Sequence, residues 1–341
     1  MKVDRSVSRV SAKTAAQAEM FSNRLVKRHR HLAKWARRTG AGAYLLYDRD
    51  IPEIPLKVEY YPDSGTGQGR GALSFSFYRR PYGKGESDKD EAWLEAMKAA
   101  AAGSLGLDTA DIFLRTRERQ LAQYGRIADT RALRIVREYG LRYRVNLSDY
   151  LDTGLFLDRR LFRALIRSEA SGRRVLNLFC YTGSLSVAAA AGGAAVDSVD
   201  LSNTYLDWAR ENFALNGLCP RPDRLFRFIR ADALRFANRG QSSGPAWDII
   251  ILDPPAFSNS KKMAADFDLK RDHPALVSRC LKLLKPGGTL YLSANVKGFK
   301  MNEEALETGQ SVNIENITEK LRDEDFKGKR IPATYRITEV L

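Results

Sequence analysis

The sequence predicts an α/β chain. Its larger, carboxy-terminal part reads as a doubly wound, mainly parallel sheet ending in an antiparallel strand pair, and a smaller α+β domain precedes it. Three observations carry this prediction. Ile249-Ile-Ile-Leu252 is apolar without polar alternation, as expected of a strand covered on both faces. After Tyr150, apolar strand-like runs alternate with helical patterns in the rhythm that a parallel sheet requires. Before it, runs alternate with period two, the mark of half-buried antiparallel strands.

A chain of 341 residues suits two domains, each able to bury a core. The expected division is a flexible arm over 1–20, a small substrate or RNA-binding domain over 21–149 and the doubly wound domain over 150–341. Residues 1–20 are polar and Ala/Ser-rich with no apolar h-region, so no secretory signal is read, and no run approaches the length of a membrane span. The three cysteines, Cys180, Cys219 and Cys280, are widely separated. They suggest neither a disulfide framework nor a structural zinc, and a reducing cytoplasm fits them. An excess of 56 basic over 41 acidic residues, net +15, favours polyanion partners.

In chain order, residues 21–38 place Phe21, Leu25, Leu32 and Trp35 near helical spacing. Arg24, Lys27, Arg28, Arg30, Lys34, Arg37 and Arg38 lie between them without an acid, so a docked helix here presents either a positive ridge for phosphates or a solvated face. Runs at 56–61 and 73–78 should pair as a hairpin across a Gly-rich loop. A helix over 90–105, a strand over 112–117 and a hairpin from 133–136 and 141–147 complete a module with no βαβ rhythm. Beyond Tyr150, strands are expected at 174–179, 195–200, 225–230, 247–252 and 289–293. Helices are expected at 185–191, 204–216, before Lys285 and over 302–307, with a final antiparallel pair at 311–318 and 333–340. Lys285-Pro-Gly-Gly288 reads as a helix stop and turn.

The expected strand ends gather polar groups where an open α/β sheet binds ligands. The first leads into Asn177-Leu-Phe-Cys-Tyr-Thr-Gly183, whose Gly183 can let the backbone approach a ligand. The second ends at Asp200, suited to ribose hydroxyls, and the third and fourth reach Asp232 and Asp253. Neither G-x-G-x-x-G nor a P-loop pattern follows the first strand, which sets aside a nicotinamide enzyme. A nucleoside without phosphates, such as S-adenosylmethionine, needs these acceptors and no phosphate cradle. After Asp253, Pro254 and Pro255 stiffen the loop, and Phe257 reads either as a stacking surface for a flat ring or as a core residue.

The segments Tyr150-Leu-Asp-Thr-Gly-Leu-Phe-Leu-Asp-Arg159, Asn177 to Gly183, Val199-Asp-Leu-Ser202, Ala231-Asp-Ala233 and Asp253-Pro-Pro-Ala-Phe-Ser-Asn-Ser-Lys261, with Arg115-Thr-Arg-Glu-Arg-Gln120 and Leu147-Ser-Asp-Tyr150, resemble one known family. It is that of the 23S ribosomal RNA guanine-N7 methyltransferases, which form the carboxy-terminal half of a bifunctional enzyme in some bacteria. The resemblance runs from about Phe21 to the end and implies the class I S-adenosylmethionine-dependent methyltransferase fold, a Rossmann-like sheet. It implies cofactor contacts from Phe156, Asp158, Asn177, Phe179, Tyr181, Thr182, Gly183, Asp200, Leu201, Ser202, Asp232 and Ala233, and a base-facing loop from Asp253 to Phe257. The implied substrate is 23S rRNA or its large-subunit precursor. The guanine-N2 half with its THUMP domain has no counterpart here, so either a separate polypeptide supplies it or this is a standalone version.

Guanine N7 carries a free lone pair, so methyl transfer needs in-line positioning and no general base. Phe257 can stack on the base, Asp253 can stabilise its growing positive charge, and Asn295 can bond the base edge or cap a strand end. Cytosine-C5 methylation needs an attacking thiolate, and neither the Asp253 loop nor Leu292-Ser-Ala-Asn295 contains a cysteine. Guanine-N2 methylation and a noncatalytic rRNA-binding assembly factor remain the other readings. Arg115, Arg117, Arg119 and Lys261 join the basic helix as candidate RNA contacts, and none of the three histidines forms a triad.

Overall fold

The computed structural model describes residues 11–62, 71–78, 87–117, 128–222, 225–240, 244–258, 266–307 and 311–340. They fall into two compact units, Met1–Gly140 with Val145–Thr153, and Leu141–Arg144 with Gly154–Leu341.

In the first unit, helix α1 (Ala12–Thr39) begins where the Ser11 hydroxyl accepts the Thr14 amide at 3.1 Å, and it ends at Gly40 with φ 75°. Residues 12–20, expected in a flexible arm, are therefore helical. Ser11 supplies the cap, the alanines favour helix, and buried Gln17 accepts the Trp93 indole N–H at 2.8 Å. The predicted stripe of Phe21, Leu25, Leu32 and Trp35 is buried. It packs into a core shared with a four-stranded sheet of order β1 (Tyr44–Asp48), β2 (Leu56–Tyr61), β3 (Ala72–Tyr78) and β4 (Ile112–Arg117).

Strands β2 and β3 form the expected antiparallel pair, from Leu56↔Phe77 to Tyr61↔Ala72. Strands β3 and β4, however, run parallel, joined through helix α2 (Ser87–Leu105), so one βαβ crossover exists where none was expected. Period-two alternation shows a strand's buried face and says nothing of its partner's direction. Here α2 buries Leu94, Met97 and Ala101 in the same core as α1. Strand β1 escaped prediction because Tyr44 to Tyr47 are all buried and show no alternation. Strands β5 (Leu133–Glu138) and β6 (Leu141–Asn146) pair as the expected two-stranded ribbon.

The second unit opens with helix α3 (Arg160–Glu169), followed by β7 (Arg174–Leu178), α4 (Ser184–Ala191), β8 (Ala195–Asp200), α5 (Asn203–Leu215), β9 (Phe226–Arg230), α6 (Ala233–Gly240) and β10 (Trp247–Leu252). The two-residue strands β11 (Phe257–Ser258) and β12 (Phe267–Asp268) then lead to α7 (Leu269–Leu281), β13 (Leu284–Ala294), β14 (Val312–Asn316) and β15 (Ala333–Glu339). The sheet order is β14-β15-β13-β10-β7-β8-β9, with β7, β8, β9, β10 and β13 parallel and β14 and β15 antiparallel. This is the predicted doubly wound architecture. Ile249 to Leu252 are fully buried at its centre, and α6 and α7 pack against the sheet in one apolar cluster.

Two expectations fail here. Residues 302–307 form a turn and no helix, because His273 Nε2 accepts the Asn302 amide at 3.0 Å and Ser278 Oγ accepts that of Glu307 at 2.9 Å. Side chains of α7 thus anchor both ends of the segment, and Ser278 takes the Glu307 amide that a helix would direct to its own carbonyl. Lys285-Pro-Gly-Gly288 lies inside β13 as an irregularity. The β10 pairing jumps there from Trp247↔Leu284 to Ile249↔Thr289, and Gly287 adopts φ 73°.

Candidate functional site

The chain runs outward from β7 through β8 to β9 and then returns to the other side of β7 as β10. That reversal is the switch point where open α/β sheets bind ligands, outside the carboxyl ends of the strands. Leu178 pairs with Val199 and with Leu252, and Leu252 with Leu292. The turns beginning at Phe179, Asp200, Asp253 and Asn295 therefore leave the same edge of the sheet.

The turn after β7 is tightly wound, with Phe179, Tyr181 and Gly183 at φ 59°, 52° and 72°. Left-handed backbone at two non-glycine aromatic residues is the kind of strain that clusters at ligand sites. Asp200 locks this turn to the next strand: its Oδ2 accepts the Tyr181 amide and its Oδ1 the Ser202 amide, each at 2.9 Å. Burial raises the Asp200 carboxyl above its ordinary range, against the pull of the Ser202, Tyr181 and Leu201 amides. Phe156 stacks on Tyr181 at 5.3 Å between ring centres, and Tyr181 meets Tyr205 edge-on at 4.5 Å.

Several predicted contact residues are engaged within the protein. Asn177 is buried and donates to Ser186 Oγ at 2.9 Å beneath the turn. Thr182 is buried too, its hydroxyl donating to the Gly154 carbonyl at 2.6 Å. Gly183 was expected to admit a ligand. A Cβ there would lie 2.7 Å from the Ala209 Cβ, so the glycine also lets α4 and α5 pack closely. Ser202 caps α5 by accepting the Tyr205 amide. Asp232 accepts the Leu234 amide at 2.9 Å at the start of α6, beside buried Ala233.

The feature that sequence reasoning missed is Arg159. This buried guanidinium grips Asp253 with a fork, Nε to Oδ2 at 3.1 Å and Nη2 to Oδ1 at 2.6 Å, and its Nη1 lies 3.6 Å from Asp158. Burial would lower its pKa, but Asp253 and Asp158 outweigh that and raise it, so the cation persists. Asp253, expected to stabilise charge on the base, is thus itself paired with a buried cation. The available signal was an arginine pair, Arg159-Arg160, directly after Asp158 of the cofactor segment.

Beyond Asp253, Pro254 is buried, Ala256 accepts the Leu269 amide at 3.1 Å and Phe257 stands 53% exposed. Phe257 is accordingly not a core residue. Asn295 is exposed, and its Oδ1 accepts from Arg330 Nη2 at 3.1 Å. Cys180 is buried, and burial together with the Asp200 charge pushes its thiol well above the usual range.

Among the basic candidates, Lys27, Arg30, Lys34, Arg37 and Arg38 are exposed on α1. Arg24 is paired with Asp50 at 2.7 Å, and Arg28 donates to the Leu45 and Leu46 carbonyls. Arg115 is buried, bonding the Leu147 carbonyl at 2.7 Å, and Arg117 pairs with Asp152 at 2.6 Å. These two serve the interior of the first unit and do not present free charge to a phosphate. Arg119 and Lys261 lie outside the described residues.

A doubly wound sheet with β14 and β15 antiparallel at its edge and acids at successive strand ends defines a nucleoside-dependent transferase fold without a phosphate cradle. The family model for S-adenosylmethionine-dependent methyltransferases matches residues 97–325, and the chain belongs to that family. It is 42% identical over 313 residues to the ribosomal RNA large subunit methyltransferase K/L of Shewanella loihica, covering 91% of this chain and 42% of the relative. It is 43% identical over 325 residues to the protein of the same name from Hahella chejuensis, covering 94% of this chain and 43% of that one. The chain thus spans less than half the length of these curated relatives. Among solved structures, SMU.776 in complex with SAH superposes with a TM-score of 0.70 at 23% identity, over 95% of this chain and 82% of that one.

The residues present fit S-adenosylmethionine. The Asp200 carboxylate, aimed by the Tyr181 and Ser202 amides, keeps acceptor capacity for a ribose hydroxyl. Asp158 Oδ1 is buried and makes no hydrogen bond among the described residues, its ion-pair neighbour Arg159 Nη1 lying 3.6 Å away, so it has acceptor capacity for a cationic amine. No helix of the described residues is long and apolar enough to cross a membrane.

Proposed function

We propose that this protein methylates N7 of a guanine in 23S ribosomal RNA, with S-adenosylmethionine as methyl donor. The names of the relatives support a large-subunit rRNA substrate. For the acceptor atom, the observation that carries the reading is the Arg159–Asp253 fork. Asp253 at the head of this loop is held by a buried arginine and does not stand alone, and N7 is an acceptor that needs no general base.

The bound cofactor supplies an electrophilic methyl on a sulfonium. Asp200 would hold its ribose, Asp158 its amine and Asp232 the adenine side, beside the half-buried Phe156–Tyr181 stack. Pro254 and Pro255 keep the loop stiff, and exposed Phe257 offers a face for the target base. The exposed cations Lys27, Arg30, Lys34, Arg37 and Arg38 bind the phosphate backbone and help offset the few kcal/mol of extruding a base. A cytosine-C5 route is disfavoured because Cys180, the thiol nearest the strand ends in sequence, is buried and held protonated.

Mass mapping of 23S rRNA from a deletion strain tests the proposal. The expected result is loss of one methyl from a guanine imidazole nitrogen. Loss from cytosine C5 or guanine N2, or an unchanged pattern, would refute it.

A further inference from the structure

The edge of the sheet that carries the site has two sides. The turns at Phe179 and Asp200, which fit the cofactor, leave β7 and β8, while β10, β13 and β15 follow one another in the other direction. Strand β15 begins where β13 ends, with Ala333 paired to Ala294, and Leu252 pairs with Leu292. The residues just before Ala333 and just after Ala294 therefore leave the same edge as Asp253. At the usual strand spacing, β13 and β15 lie roughly 5 and 10 Å beyond β10.

This second side is cationic. Lys297, Lys300 and Arg330 are exposed there, and none of them pairs with a carboxylate among the described residues. Apolar neighbours fix their backbone. The turn over 296–299 closes where the Phe299 amide donates to the Val296 carbonyl at 3.3 Å, with Gly298 at φ 66°. Phe299 is buried against His273 and Tyr335, and Val296 and Met301 pack on the same core, which leaves positions 297 and 300 to the solvent. Arg330 precedes buried Ile331 and Pro332, and its bond to Asn295 ties it to the turn that carries the lysines.

The exposed acids that follow, Glu303, Glu304 and Glu307, are led away from this edge. Helix α7 starts beside Ala256 and runs to the opposite edge, where β13 begins; Asn302 is bonded to His273 and Glu307 to Ser278 further along that helix. Unpaired cations on an anchored turn gain most from a polyanion, whose phosphates engage several at once and release counterions. On the neighbouring strand end Phe257 is 53% exposed, and cations beside an exposed aromatic suit a nucleic-acid strand, phosphates on the first and a base on the second.

We propose that Lys297, Lys300 and Arg330 form an RNA-binding surface on the second unit itself, separate from the exposed face of α1. It holds the phosphate backbone flanking the target nucleotide, on the β13–β15 side of the Asp253 loop. This rests on the rRNA substrate read above.

Binding of an unmodified 23S rRNA transcript over a salt series tests it on wild type, on Lys297→Gln with Lys300→Gln, and on that pair with Arg330→Gln. Each phosphate contact adds about 0.7–0.9 to the slope of log affinity against log salt, so the double variant should lose about 1.5 in slope and roughly 30-fold in affinity at about 0.1 M salt. The triple variant should lose about 2 or more in slope. KM for RNA should rise while kcat and the affinity for S-adenosylhomocysteine stay within about threefold of wild type, as for a contact that serves substrate binding alone. Lys297→Arg with Lys300→Arg should keep the wild-type slope. A photoreactive side chain installed at position 297 should crosslink to nucleotides neighbouring the methylated one. Unchanged affinity and slope in the triple variant, crosslinks confined to distant parts of the RNA, or an equal loss of cofactor affinity would overturn the proposal. The double variant leaves the Arg330–Asn295 bond intact, so it decides alone if the triple variant does not fold. A wild type that neither binds nor methylates 23S rRNA would overturn the substrate reading and this surface with it, whereas normal wild-type methylation with an unaffected triple variant overturns the surface alone.

Discussion

Replacing Asp200 by alanine should remove the centre of the cofactor site. In the structure the Tyr181 and Ser202 amides aim the Asp200 carboxylate, whose remaining acceptor capacity suits ribose hydroxyls. A hydrogen bond to a charged group is worth about 1.5–3 kcal/mol, so losing two costs about 3–6 kcal/mol. At about 1.4 kcal/mol per decade, affinity should fall by roughly 100-fold or more. Asp200→Asn keeps one acceptor oxygen and should fall between the two. Calorimetric titration with S-adenosylhomocysteine, on variants whose circular dichroism matches wild type, measures the effect. Because burial raises the Asp200 carboxyl, wild-type affinity should decline on acidification at a higher pH than an ordinary carboxylate would give, a component absent from Asp200→Asn. An alanine variant within about threefold of wild-type affinity would refute the assignment, since two charge-assisted bonds cannot be so cheap.

Phe257→Ala should slow single-turnover methyl transfer by roughly tenfold or more, the worth of one stacked base, while cofactor affinity stays near wild type; an unchanged rate removes the stacking role. Gly183→Ala should destabilise the fold by about 2–4 kcal/mol in urea denaturation, combining a left-handed backbone penalty with overpacking against Ala209, and a loss under about 0.5 kcal/mol would show that α5 yields freely. Asp149 is buried; burial would raise its carboxyl, but hydrogen bonds from Ser148, Asn146 and the Arg131 and Thr130 amides outweigh this and hold it well below the usual range. A folded pKa below the unfolded one adds stability that is complete above about pH 4 and is lost as pH falls. Asp149→Asn should accordingly cost about 1–3 kcal/mol at neutral pH, with the gap to wild type closing in acid; a gap independent of pH contradicts the sign.

Much of the second unit was legible in the chain. Unbroken apolar runs such as Ile249 to Leu252 mark strands covered on both faces, and their rhythm with helices implies the sheet order found. Asp200, Asp232 and Asp253 could be placed at strand ends because a strand's end is a local event, and so could the exposed face of α1. Partnership was not legible. That β4 pairs parallel with β3, that residues 302–307 surrender their amides to His273 and Ser278, and that Arg115 faces the interior all depend on groups distant in sequence. The same holds for the site itself. Local pattern supplied an aspartate followed by two prolines, whereas its partner Arg159, 94 positions away, was set by the fold. Periodicity and turn chemistry report a residue's own backbone and burial; what a buried polar group bonds to is settled only when the chain closes on itself, because an unpaired buried charge costs too much to leave unmet.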